Sequence, residues 1–131
     1  MEAQVEILIC AAREAAKQAH CPYSAYPVGA AALTEDGRVY TGCNVENASY
    51  GLTMCAERVA LFKAVSDAHR AVAALAVVGG NSKAPATPCG ACRQVLAEFA
   101  APETPVYIAP LKRGRATATT LGELLPNSFG M

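Results

Sequence analysis

The run Val72-Ala73-Ala74-Leu75-Ala76-Val77-Val78 is apolar without interruption and ends at Gly79-Gly80. A strand with no polar alternation has no face to give to water, so it belongs at the centre of a sheet covered on both sides. The rest of the chain must therefore supply helices as cover. Val5, Leu8, Ile9, Ala12, Ala16 and Ala19 recur at helical spacing and predict an amphipathic helix over 2–20, broken by Pro22, Ser24 and Pro27. Val28 to Leu33 and Val39 to Val45 read as a hairpin across Glu35-Asp36-Gly37, with Gly37 where a positive φ is needed. Thr53 is the expected cap of a second helix running to about residue 68. Gly90 to Ala100 predicts a third helix, Val106 to Ala109 a strand, Thr117 to Thr120 an edge strand, and Leu121 to Leu125 a short last helix. Alternation of this kind predicts an α/β layered domain around one sheet, and 131 residues suffice for a single domain, 1–131.

Eleven basic residues balance eleven acidic ones, which disfavours a grip on a nucleic-acid backbone and favours a small ligand. Lys112, Arg113 and Arg115 read as a solvated loop. Only 17% of residues are charged, against about 25% in an average globular domain. That shortage points to surface hidden against other copies of the chain. No apolar run reaches the ~18 residues of a membrane span. The acidic opening Met1-Glu2-Ala3-Gln4-Val5-Glu6 does not resemble a secretory leader, so a cytoplasmic location with reduced cysteines is expected.

Among six cysteines, Cys89 and Cys92 stand two residues apart at the start of the third helix, and Cys55 stands at the start of the second. Alone, Pro88-Cys89-Gly90-Ala91-Cys92 fits a structural zinc half-site or a thioredoxin-like redox pair as well as a catalytic centre. Cys55 adds a third sulfur that the intervening helix and strand can return to the same place. Three sulfurs leave the fourth tetrahedral position open for water, the arrangement of a catalytic site. Glu57, two residues beyond Cys55, can point past the metal and exchange protons with that water. Helix N-termini offset the excess negative charge of three thiolates. Arg58 and Arg93 can donate hydrogen bonds to them, or serve only as surface charges. Cys10, Cys21 and Cys43 read as small buried or half-buried residues, and His20 and His69 as structural or surface groups.

Cys55-Ala56-Glu57-Arg58 with Pro88-Cys89-Gly90-Ala91-Cys92-Arg93 resembles the zinc nucleoside and nucleobase deaminases. The blocks Cys21-Pro22-Tyr23-Ser24, Asn44-Val45-Glu46-Asn47-Ala48-Ser49-Tyr50-Gly51 and Leu121-Gly122-Glu123-Leu124-Leu125-Pro126 narrow the resemblance to the small homotetrameric cytidine deaminases. It extends from near the N-terminus to about Phe129. It implies a three-layer α/β/α sandwich with a central mixed sheet of about five strands. It also implies one Zn²⁺ per subunit on Cys55, Cys89 and Cys92, and Glu57 as the proton shuttle. Asn44 and Glu46 match the pair that binds the ribose 3′-hydroxyl. The Ala56 N–H and the Thr87 carbonyl match groups that hold the pyrimidine. Tyr26 falls where the family usually has Phe beside the ring. Phe129 resembles an aromatic that a neighbouring subunit lays over the base, and Tyr50 a subunit contact. The implied activity is hydrolytic deamination of cytidine and 2′-deoxycytidine in pyrimidine salvage, in a homotetramer whose active sites lie at subunit interfaces. Two rivals are a deaminase of another aminopyrimidine, such as blasticidin S, and a zinc-stabilised binding protein without catalysis.

Overall fold

The computed structural model describes residues 2–131, so Met1 of the acidic opening lies outside it. The elements are α1 (Glu2–Ala16), β1 (Val28–Thr34), β2 (Val39–Cys43), a 3₁₀ turn (Tyr50–Leu52), α2 (Ala56–Ser66), β3 (Val72–Gly79), α3 (Gly90–Phe99), β4 (Pro105–Ala109), β5 (Thr117–Thr120) and α4 (Leu121–Leu124). The strands form one mixed sheet in the order β2-β1-β3-β4-β5. β3 pairs antiparallel with β1 and parallel with β4, which places the uninterrupted apolar run in the middle.

Side chains of a strand alternate between faces. Val72, Leu75 and Val77 of β3 enter one core with Ala30, Ala32, Val106 and Ile108, beneath α2, α3 and α4. Ala74, Ala76 and Val78 enter the opposite core with Ala31, Leu33 and Tyr107, beneath α1. The result is the expected three-layer α/β/α sandwich of five strands. Leu8, Ile9, Ala12 and Ala16 form the buried stripe of α1. Each fully buried aliphatic side chain contributes about 1.5–3 kcal/mol relative to an exposed one, so β3 anchors both layers at once.

Several boundaries differ from the sequence pattern. α1 ends at Ala16, not residue 20, because Lys17, Gln18 and Ala19 donate to the carbonyls three residues back, which tightens and ends the helix. α2 ends at Ser66. Thr53 does not cap α2: its hydroxyl accepts from the Asn47 N–H, and Cys55 takes the N-cap position. The β1–β2 turn does place Gly37 at φ 91°. Gly42 lets β2 and α2 meet, since a Cβ there would lie 2.5 Å from the Ala56 carbonyl oxygen and 2.6 Å from the Ala60 nitrogen.

Candidate catalytic metal centre

Cys55 is the N-cap of α2 and Cys89 the N-cap of α3, both with extended backbone and neither with a side-chain cap hydrogen bond. Asp, Ser, Thr or Asn would ordinarily supply an oxygen at such positions. Here sulfurs lie at the positive ends of two helices, and a third, Cys92, lies in the first turn of α3. Cys55 Sγ is 3.8 Å from Cys89 Sγ, and Cys89 Sγ is 3.5 Å from Cys92 Sγ. All three lie within 4.8 Å of one another, and they are the one such group found among the described residues. Tetrahedral Zn–S bonds of about 2.3 Å put sulfurs about 3.8 Å apart, close to the two sulfur separations here, so this donor set fits zinc. Cys92 is buried, Cys55 half-buried and Cys89 exposed, so the cluster is open to the surface on one side.

The charges around the sulfurs are those of a cation site. The hydrogen bond with Cys92, with help from Arg58, lowers the Cys55 thiol to about 5. The Arg58 guanidinium donates to Cys55 Sγ at 3.3 Å. The same partnership with Cys55, reinforced by burial, holds the Cys92 thiol well above its ordinary value. The pair Cys55 and Cys92 thus favours a single thiolate, and ionisation of both is favoured by a cation between them. Arg93 takes a different course from Arg58. Its Nε donates to the Pro88 carbonyl at 2.7 Å and its second nitrogen to the Leu124 carbonyl at 2.8 Å, bracing the Cys89 loop against the end of α4.

Glu57 is only 4% exposed. Burial is the main cause that raises its carboxyl to about 7, and the neighbouring Cys55 charge adds to it. Glu57 lines a cleft of about 450 Å³ together with Tyr26, Asn44, Cys55, Ala56, Thr87 and Cys89. Residues from β1, α2 and three connecting segments, α1–β1, β2–α2 and β3–α3, therefore converge on one cavity. A larger, shallower depression of about 600 Å³ lies elsewhere, along Tyr40, Val59, Phe62 and Asp67, with no sulfur donor in its wall.

Glu46 lies outside the cleft wall. Its carboxylate accepts from the Tyr23 N–H at 3.0 Å, the Ser24 N–H at 3.2 Å and the Ser24 hydroxyl. The Ser24 hydroxyl is the main cause that holds it below the usual carboxylate range. Asn44 reaches the same segment: its Nδ2 donates to the Tyr26 carbonyl and its Oδ1 accepts from the Val28 N–H, both at 2.9 Å. Phe129 is 71% exposed and does not enter the cleft of its own chain. Sequence reasoning singled out neither Ser24 as a partner of Glu46 nor Pro85 and Ala86 as cleft wall. The only signal for Ser24 was its place in the Cys21–Ser24 block.

Comparison with known proteins is consistent with this geometry. A family profile described as the cytidine and deoxycytidylate deaminase zinc-binding region matches residues 2–108. A cytidine deaminase from Sporosarcina psychrophila is 54% identical over 125 residues, which cover 95% of this chain and 90% of that protein. The crystal structure of a cytidine deaminase from Burkholderia pseudomallei superposes with a TM-score of 0.88 at 49% identity, covering 95% of this chain and 98% of the other. That of a cytidine deaminase from Mycobacterium tuberculosis gives a TM-score of 0.80 at 45% identity, over 97% of this chain and 98% of the other.

Proposed function

The chain belongs to the cytidine and deoxycytidylate deaminase family, and from that premise we infer the working of its site. It is a zinc-dependent hydrolase that converts cytidine and 2′-deoxycytidine to uridine and 2′-deoxyuridine, with release of ammonia; pyrimidine salvage is the usual role of such an enzyme. The observation that carries the reading is a buried carboxyl, Glu57, in the same cleft as thiols at tetrahedral spacing. One zinc ion per subunit fits Cys55, Cys89 and Cys92, and when bound it supplies the Lewis acidity that brings a water molecule's pKa near neutrality.

We assign the remaining work to the chain's own residues. Glu57 accepts a proton from the attacking water and passes it to N3 of the pyrimidine, which makes C4 electrophilic. Glu57 then moves the second water-derived proton to the amino group, which departs as ammonia as the C4 carbonyl forms. One carboxylate serves as base and acid in turn. The Ala56 N–H, free in the first turn of α2, and the Thr87 carbonyl offer one donor and one acceptor to a pyrimidine edge that carries both. Tyr26 flanks the ring, Asn44 and Glu46 receive the ribose 3′-hydroxyl, and Arg58 steadies the thiolates. Phe129 covers the base of a neighbouring subunit. That last role, with exposed Tyr50, Leu52 and Phe62, supports a homotetramer with active sites at the interfaces. Residues 1–131 act as one catalytic domain, located in the cytoplasm, with neither nucleic acid nor membrane as partner; no described helix is long and apolar enough to cross a membrane.

Ammonia release from cytidine, 2′-deoxycytidine, cytosine, cytidine monophosphate and blasticidin S tests the assignment, with Glu57→Ala run beside the parent. Release from the two nucleosides, lost about 10²–10⁴-fold in the variant, is the expected result, the scale that general acid–base catalysis supplies. Release from blasticidin S alone would overturn the sugar-site assignment. Undiminished turnover by Glu57→Ala would overturn the proton shuttle.

A further inference from the structure

Between α1 and β1 the chain makes a turn whose centre, Ala25, has φ 55°, a backbone conformation that L-residues other than Gly, Asn and Asp seldom adopt. Such a residue persists where surrounding contacts over-determine it. Here the contacts come from the segment after β2. The Ser24 hydroxyl donates to Glu46 Oε2, while its oxygen accepts from the Tyr26 N–H at 3.1 Å. The Tyr26 carbonyl is taken by Asn44 Nδ2. The peptide groups on both sides of Tyr26 are therefore fixed by Ser24 and Asn44, and the Ser24 hydroxyl hydrogen-bonds to both Glu46 and the Tyr26 N–H. Tyr26 and Asn44 line the cleft. Glu46, with three donors on its two oxygens, retains lone pairs for one further donor.

We propose that Ser24 is a positioning residue for the sugar subsite: its hydroxyl fixes the rotamer of the Glu46 carboxylate and ties it to the Tyr26 wall, so that a nucleoside's 3′-hydroxyl meets a preset acceptor. The proposal rests on the reading of Asn44 and Glu46 as the ribose pair. A carboxylate released from Ser24 has to be ordered by substrate instead, so the loss falls on binding and not on the proton transfers at the base. Substrates with no 3′-hydroxyl gain nothing from the preset carboxylate and lose little when it is freed.

The test is steady-state kinetics of Ser24→Ala, Ser24→Thr and Glu46→Gln on zinc-loaded enzyme, with cytidine and with 2′,3′-dideoxycytidine. Ser24→Ala is expected to raise the KM for cytidine about tenfold, the scale of one hydrogen bond to a charged group. Its kcat should stay within twofold, and the KM for dideoxycytidine should rise twofold or less. Ser24→Thr, which keeps the hydroxyl, should restore most of the cytidine KM. An unchanged cytidine KM in Ser24→Ala overturns the proposal, as do equal KM rises for both substrates, which would mean a merely structural role in the turn. Glu46→Gln separates the two readings. If it raises the cytidine KM while Ser24→Ala does not, only the Ser24 proposal falls. If it too leaves the cytidine KM unchanged, the ribose assignment falls with it.

Discussion

Arg58 stands outside the donor set, and its proposed role is to steady the thiolates from behind. It donates to Cys55 Sγ, and its charge helps one thiolate exist beside the buried Cys92. Partners that hold metal ligands from behind are typically worth 10–100-fold in metal affinity or activity. Arg58→Gln is therefore expected to weaken zinc retention about tenfold or more in competition with a chromophoric chelator. Arg58→Lys should recover part of the loss, because it keeps the charge but not the forked geometry. Equal zinc affinity in all three proteins would remove Arg58 from this role. The donors themselves were legible in the sequence, because the Cys89/Cys92 spacing and the Cys55/Glu57 spacing are local patterns. The Ser24–Glu46 clamp was not, since it joins two segments across a strand hairpin and leaves no periodic trace.

At the scale of elements, β2 and α2 touch so closely that a methyl group is too much. A Cβ at Gly42 would fall 2.5 Å from the Ala56 carbonyl oxygen and 2.9 Å from Val59 Cβ. Ala56 opens α2, directly after Cys55, so a shift that relieves the clash also moves a sulfur and the backbone N–H assigned to the pyrimidine. Gly42→Ala is expected to cost about 1–3 kcal/mol by thermal unfolding, as overpacking commonly does, and to lower zinc content and deamination together. A variant with full stability but lost activity would contradict that coupling. The helix pattern at residues 17–19 misled because apolar spacing outlasts the hydrogen bonds: Ala19 keeps the period, yet its N–H bonds to Ala16. Thr53 misled because a cap-type residue two positions early found another donor, Asn47. The sequence pattern brought the sulfurs to the helix starts, but it gave the cap of α2 to Thr53 where Cys55 holds it.

Across the whole molecule, both cores were readable from one strand. β3 has no polar position along Val72–Val78, and the sheet accordingly places it third of five with helices on either face. What the apolar surface does beyond the single chain is a matter of association. Ile7, Tyr50, Leu52, Phe62 and Phe129 are each at least 45% exposed. In the proposed tetramer, light scattering should report four times the 13.5 kDa chain mass. Phe129→Ala should reduce activity while leaving the assembly intact, through loss of the cover over a neighbour's base. A fully active monomer would defeat the tetramer and that role together.

The three sulfurs also impose an order of events on a chain emerging from a ribosome. The β1–β2 hairpin and α2 precede the second and third donors, and β3 must cross the sheet before Cys89 and Cys92 arrive at the N-terminus of α3. A nascent chain halted after β3 holds one thiol of the set and has no place for the ion. On a ribosome, therefore, the complete set of donors for the ion exists only once α3 has emerged.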